Sequence, residues 1–224
     1  LSRAVLWDLD GTLVDSEEYH WQSWRDTLAP EGLSITYEQF LASFGRKNDP
    51  IMREWLGDGY THERATRLAE EKESDYRRLV AAHGLTPLPG ARDWLTRLHA
   101  AGWKQAIVTS APRANAEVML AALGLEHVFE TVVVAEDVTV GKPDPEVFLT
   151  GAARLGVPPA QSIVVEDATT GIEGARRAGM KCVGVNGRLP LPADVVVKTL
   201  IELPLDAFER LLDGPTNRSP SSST

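Results

Sequence analysis

Asp8 and Asp10 are the residues best placed to do chemistry in this chain. They stand in Asp8-Leu9-Asp10-Gly11-Thr12-Leu13-Val14-Asp15-Ser16, directly after the apolar run Ala4-Val5-Leu6-Trp7. Two carboxylates two residues apart can divide labour: one stays ionised as a nucleophile and metal ligand, and the other holds or accepts a proton. The preceding run has the β-branched and aromatic character of a buried strand, so both aspartates fall where a strand ends and the chain turns. In an open parallel sheet, ligands bind at that edge, outside the carboxyl ends of the strands. Gly11 lets the backbone bend sharply there. Asp-x-Asp-Gly alone is equally what a plain turn requires, so a site needs further parts elsewhere.

Three later stretches offer such parts. Thr109 and Ser110 end the run Ala106-Ile107-Val108. A hydroxyl there, with the following backbone N–H, can donate to a phosphoryl oxygen, although taken alone a helix cap is the more ordinary use of it. Lys142 lies in Gly141-Lys142-Pro143-Asp144-Pro145, where prolines fix the backbone around an ammonium that can neutralise a nucleophile and a phosphoryl group, although a lone lysine before proline is normally just solvated. Glu166-Asp167 follows Ile163-Val164-Val165. Two adjacent carboxylates at a strand end are costly unless they meet a cation, most simply Mg²⁺, although a cap and turn would also use them.

The elements that position these residues fall into two blocks. Residues 16–84 read as helical: Ser16 caps a helix with Tyr19, Trp21, Trp24 and Leu28 on its apolar face, Thr36 caps another through Phe40 and Phe44, a third lies near Pro50, and a charged fourth runs from Thr61 to Ala82. From Leu85 onward, short strands (104–108, 131–135, 162–165, 182–185 and 193–197) alternate with helices ending at glycine. That alternation predicts an α/β fold with a doubly wound parallel sheet. The expected division is a sheet core of residues 1–14 and 86–213, an inserted helical block of 15–85 that looks like a separate small lid, and a disordered Ser/Pro-rich tail at 214–224.

Asp-x-Asp-Gly-Thr, Thr109, Gly-Lys-Pro-Asp-Pro and Val-Glu-Asp occur in the order and strand context of the four signatures of the haloacid dehalogenase superfamily, and the chain resembles that family over about residues 3–212. The family consists mostly of Mg²⁺-dependent phosphotransferases working through an aspartyl phosphate, and the resemblance implies a Rossmann-like core (1–14 and 86–213) closed by a helical cap (15–85) hinged at Asp15 and near Leu85. The resemblance implies that Asp8 attacks phosphorus, that Asp10 protonates the leaving oxygen and then activates water, and that Thr109 and Lys142 hold the phosphoryl group. It implies Mg²⁺ on the Asp8 carboxylate, the Asp10 backbone carbonyl and Asp167, with Glu166 as ligand or through water. Asp10 disfavours the dehalogenases and phosphonoacetaldehyde hydrolases, which lack the second aspartate.

The helical block resembles the cap of the β-phosphoglucomutase-like subgroup, including Glu18-Tyr19-His20 and Trp24. His20 either touches substrate or Asp10 across the cap, or serves structure. Phe44-Gly45-Arg46-Lys47-Asn48-Asp49 resembles the cap's specificity loop, in which the mutase has a lysine before the glycine and an arginine three residues after it. Phe44 and Asn48 stand there instead, which disfavours a grip on a second phosphate. Gly45, Arg46, Lys47 and Arg113 are candidate substrate contacts beside Ser110, with solvated charge as the alternative for the cations. The expectation is a Mg²⁺-dependent phosphatase of a small phosphorylated metabolite, a sugar phosphate. A hexose-phosphate mutase is the alternative, and a non-catalytic phosphometabolite-binding module is disfavoured because every catalytic position is filled.

Composition sets outer bounds. The chain has 224 residues, 43% hydrophobic and 25% charged, enough for a sizeable core. A net charge of −9 without a basic stripe argues against nucleic acid. No segment has membrane-spanning length, and the N-terminus lacks signal-peptide character; Leu1 suggests a trimmed start. The single cysteine, Cys182, reads as a buried structural thiol, consistent with a reducing, cytoplasmic location. A monomer suffices for the mechanism.

Overall fold

The computed structural model describes residues 2–185 and 190–214; Leu1 and the tail beyond Gly214 lie outside them. The chain begins with β1 (Ala4–Trp7), passes through a tight turn into β2 (Val14–Asp15), and then forms four helices, α1 (Glu17–Leu28), α2 (Tyr37–Ser43), α3 (Asn48–Leu56) and α4 (His62–His83). It returns through β3 (Thr86–Pro87) and continues as α5 (Ala91–Ala100), β4 (Lys104–Val108), α6 (Arg113–Leu123), β5 (Thr131–Val133), α7 (Glu146–Leu155), β6 (Ser162–Glu166), α8 (Thr169–Arg177), β7 (Lys181–Val185), β8 (Val195–Val197) and α9 (Ala207–Asp213).

Six strands form one parallel sheet in the order β5-β4-β1-β6-β7-β8, the α/β fold expected from the alternation. All four residues of β1 are fully buried because helices cover both faces of the sheet. Val5 and Trp7 meet Trp94, Leu98, Met119 and Phe208 on one side; Ala4 and Leu6 meet Phe148, Ala152 and Ile172 on the other. The chain moves outward from β1 through β4 to β5 and then crosses to β6 on the other flank of β1. That reversal leaves a crevice at the carboxyl ends of β1, β4 and β6, where Asp8, Thr109 and Glu166-Asp167 stand.

The four inserted helices have their own core of Trp24, Leu28, Phe40, Met52, Leu56 and Leu68. Each fully buried side chain of this kind is worth roughly 1.5–3 kcal/mol relative to exposure. The insertion leaves and returns through β2 and β3, which pair antiparallel with Val14 opposite Pro87 and Asp15 opposite Thr86. Two-residue strands are too short to show a periodic pattern, so sequence reading found only the two expected hinge positions.

Several local expectations change. Ser16 precedes α1 but makes no side-chain cap bond; its hydroxyl donates to Asp10 instead. The 131–135 strand stops at Val133 because the Asp137 carboxylate accepts the Val134 N–H and draws residues 135–137 into a 3₁₀ turn. The last strand starts at Val195, since Asp194 bonds both the N–H and C=O of Cys182. Cys182 itself is buried, and burial pushes its thiol well above the ordinary range. Among the described residues no helix is long and apolar enough to cross a membrane.

Candidate active site

The centre of the site is an ammonium between buried carboxylates. Lys142 Nζ donates to Asp8 Oδ1 at 2.6 Å and to Glu166 Oε1 at 3.3 Å. Asp8, Glu166 and Asp167 each offer an oxygen within 4.8 Å of the others. Burial, partly offset by Lys142, pushes the Asp8 carboxyl up to about 6, with Asp10 adding a further upward push. Glu166 rises to about 8, through burial first and the Asp8 charge second. Asp167 lies well above its ordinary range from burial and the charges of Glu166 and Asp8. Burial alone would lower Lys142, but the Asp8 and Glu166 charges outweigh it and hold the ammonium protonated.

One cation cannot neutralise three ionised carboxylates in a low-dielectric pocket. Glu166 Oε2 is also buried with no hydrogen-bond partner. An all-oxygen donor set with excess negative charge and an orphaned oxygen fits a hard divalent cation. Two glycines let the carboxylates converge. A Cβ on Gly171 would fall 1.7 Å from Glu166 Oε1. Gly11 has φ +77°, and a Cβ there would fall 2.1 Å from Asp167 Oδ2. Gly11→Ala is therefore expected to displace Asp167 and to raise the divalent-cation concentration for half-maximal activity by about tenfold or more, read from a cation titration of turnover.

Asp10 is held differently. Its Oδ1 accepts from Ser16 Oγ at 2.5 Å and from His20 Nε2 at 2.9 Å, with Tyr76 Oη more distant at 3.5 Å. His20 Nδ1 faces Lys72 Nζ at 2.8 Å. An ammonium only donates, so Nδ1 accepts and Nε2 carries the proton given to Asp10. The ring stacks on Tyr76 with centroids 4.0 Å apart, and Phe44 meets it edge-on. Burial opposes ionisation of Asp10, but His20, Ser16 and Lys72 outweigh it and hold the carboxyl below its usual range. The two aspartates of one turn thus have opposite proton affinities.

Thr109 is buried, and its Oγ1 accepts the Ala111 N–H at 3.1 Å, which leaves the hydroxyl proton free for an incoming oxygen. Thr109 and Ser110 line a cavity of about 60 Å³ with Asp8, Asp10 and His20, under a roof that includes Phe44, Gly45 and Arg46. Arg46 reaches out of it to Glu54 at 3.0 Å. Two expected substrate contacts are not brought in. Lys47 donates to the Val138 carbonyl at 2.9 Å and lays its stem against Gly141, joining the insertion to the sheet domain. Arg113 pairs with Asp137 at 3.0 Å on the surface, because that carboxylate lies closer to hand than the crevice.

Sequence reading missed Lys72, Glu73 and Asn115. Glu73 is buried beside Lys72, 3.0 Å from its Nζ, and accepts from Asn48 at 2.7 Å and Asn115 at 2.5 Å. A usable signal existed: Leu68, Lys72 and Tyr76 share one helical stripe, so Lys72 occupies a core position of α4.

Residues 5–185 match the family described as haloacid dehalogenase-like hydrolase. The chain is 35% identical to hexitol phosphatase A of Escherichia coli over 93% of both chains. It is 34% identical to the β-phosphoglucomutase of Bacillus subtilis, covering 91% of this chain and 92% of that one. The crystal structure of a β-phosphoglucomutase from Clostridium difficile superposes with a TM-score of 0.86 at 28% identity, over 95% of this chain and 97% of that one. With this agreement and the four signatures meeting at one sheet edge, the chain belongs to the haloacid dehalogenase-like hydrolases.

Proposed function

We propose that this protein is a Mg²⁺-dependent phosphatase of small phosphorylated metabolites, with a sugar phosphate as substrate, acting through an aspartyl phosphate on Asp8. The observation that carries the reading is the pairing of Asp8 with Lys142 beside Asp10, each carboxylate held for a different task. Asp8 Oδ attacks phosphorus in line with the leaving oxygen. Lys142 and the Thr109 hydroxyl take the charge on the phosphoryl oxygens, since phosphoryl transfer is mainly positioning and neutralisation. Asp8, Asp167 and the Asp10 carbonyl would hold Mg²⁺, with Glu166 behind them, and the ion supplies charge neutralisation at the phosphoryl group.

Asp10 gives a proton to the leaving oxygen, then takes one from the water that cleaves the acyl phosphate. Its ionised form suits the second step. A phosphate dianion beside it raises its proton affinity for the first. The His20 and Ser16 bonds fix its orientation throughout. Residues 15–85 act as a cap: the cavity has room for a few waters, so a sugar phosphate needs the insertion to swing on β2 and β3.

Relatives with phosphatase and mutase names leave both outcomes for the phosphoryl enzyme. Phe44 packs on Phe40 and His20, and Asn48 bonds Glu73, so neither supplies a cation for a second phosphate. Water then takes the phosphoryl group. The test incubates the enzyme with Mg²⁺, β-glucose 1-phosphate and a trace of glucose 1,6-bisphosphate, and then with a panel of sugar phosphates. Phosphate release is expected; glucose 6-phosphate without phosphate would make it a mutase, and no phosphate from any phosphomonoester would overturn the reading.

A further inference from the structure

We infer that Glu73, with Asn48 and Asn115, forms a wall of the active-site cavity that reads the hydroxyls of a neutral polyol monophosphate and turns away substrates bearing a second phosphate. This deepens, and rests on, the phosphatase reading. Asn48 and Glu73 come from the inserted helices α3 and α4, Asn115 from α6 of the sheet domain, and all three line the cavity that holds Asp8 and Asp10. A leaving group larger than the phosphoryl unit has to meet them.

The bonding of these groups leaves a defined set of free valences. Glu73 Oε1 accepts from Asn48 Nδ2 and Lys72 Nζ, and Oε2 accepts from Asn115 Nδ2. A carboxylate has about four acceptor positions, so Oε2 keeps one. Asn115 Oδ1 accepts from Arg77 at 2.9 Å and keeps one N–H of its amide. Asn48 keeps its carbonyl and one N–H. Mixed donors and acceptors in one cavity with the apolar surfaces of Trp24, Phe40 and Ile51 suit a polyhydroxylated carbon chain, which presents both hydroxyls and C–H groups.

The same wall opposes a second anion. Glu73 is held ionised: the Lys72 ammonium and the Asn48 bond outweigh its burial. The nearby cations are already engaged, Lys72 with Glu73 and His20, Arg77 with Asn115, and Arg46 with Glu54. A phosphate at this wall would face the Glu73 anion, while Lys72 and Arg46, the lysine and arginine that line the cavity among the described residues, each already hold a carboxylate, and buried like charges are strongly unfavourable.

The experiment measures kcat/KM of the Mg²⁺-loaded full chain for fructose 1-phosphate against fructose 1,6-bisphosphate, glucose 6-phosphate against glucose 1,6-bisphosphate, and phenyl phosphate as a probe without hydroxyls. The wild type is expected to prefer the monophosphate of each pair by about 100-fold. Glu73→Gln is expected to narrow that ratio by about tenfold or more, mainly through KM of the bisphosphate, whatever it does to absolute rates. Asn48→Ala, which leaves the Lys72–Glu73 pair in place, is expected to raise KM for the monophosphates about tenfold relative to phenyl phosphate. Equal use of both members of a pair overturns the inference. So does a Glu73→Gln variant that lowers every substrate by one factor, since Glu73 is then only a brace between α4 and α6. Bisphosphate turnover lost selectively in Arg46→Ala also overturns it. Should the wild type hydrolyse none of the five, affinity of the Asp8→Asn variant for the same pairs, read by thermal shift, decides the inference on its own, and the phosphatase reading falls only if no other phosphomonoester releases phosphate either.

Discussion

Asp8→Asn is expected to abolish turnover, by about 10⁴-fold or more, without loss of fold. An amide is not a nucleophile toward phosphorus, and no other carboxylate shares the position of Asp8 at the end of β1, where its N–H is tied to the Val165 carbonyl at 3.0 Å. Unlike most buried substitutions, this one relieves an electrostatic cost in the folded state. The Asp8 carboxyl is raised to about 6 because burial, with the Asp10 charge, outweighs the pull of Lys142. An amide of the same shape keeps an oxygen for Lys142 and removes one charge facing Asp167 and Glu166. Lys142 also retains its bond to Glu166. The melting temperature without divalent cation is therefore expected to hold or rise, and circular dichroism to stay unchanged. Retained hydrolysis in a folded variant would refute Asp8 as the nucleophile, while a sharp fall in melting temperature would refute the account of charge crowding around it.

The parts of the site that could be read from the chain share a physical property. Asp8, Thr109 and Glu166-Asp167 each follow a short apolar run, and a parallel sheet brings the ends of its strands to one edge regardless of what lies between them. Local pattern was enough. Lys142 was legible for a related reason, since prolines on its C-terminal side fix a short loop. Glu73 and Asn115 had no such pattern. Their bond joins α4 to α6 and depends on how an inserted domain settles on the sheet, which no local periodicity encodes. Lys72 stands in an apolar stripe, but in a helix as highly charged as α4 one more lysine is not distinctive. Arg113 misled for the converse reason. A cation near Thr109 in sequence is drawn to the nearest carboxylate, and Asp137 holds it together with Arg154.

Asp10 shows how the two blocks act on one proton. Its anchoring groups come from the chain that leaves the sheet, Ser16 and His20, while Lys72 on α4 fixes the His20 tautomer from behind. Swinging the insertion away on β2 and β3 would part Lys72 from the crevice and remove one of the influences that lower the Asp10 proton affinity. On the cap motion proposed above, Asp10 is tuned as the cavity closes, which couples its chemistry to exclusion of bulk water.

Removal of divalent cation is expected to stop hydrolysis completely and reversibly, and to leave a pH signature in stability. In the metal-free protein Glu166 is raised from its ordinary 4.5 to about 8, and Asp8 from 3.8 to about 6. Both groups bind protons more tightly folded than unfolded. Their contribution is fully present below the ordinary pKa values and is lost as pH rises through the folded ones, so metal-free stability falls between about pH 5 and 8, by on the order of a few kcal/mol. Asp10 and Glu73 are lowered instead, so their contribution is lost only toward acid and does not enter that window. Mg²⁺ binds the ionised carboxylates of the folded state and restores stability in proportion to its occupancy. Melting curves in chelator and in excess Mg²⁺, taken from pH 5 to 8.5, are therefore expected to diverge with rising pH. Activity that survives the chelator would remove the metal from the mechanism. A gap that stays constant across the window would show that the Asp8, Glu166 and Asp167 carboxylates are not what the cation neutralises.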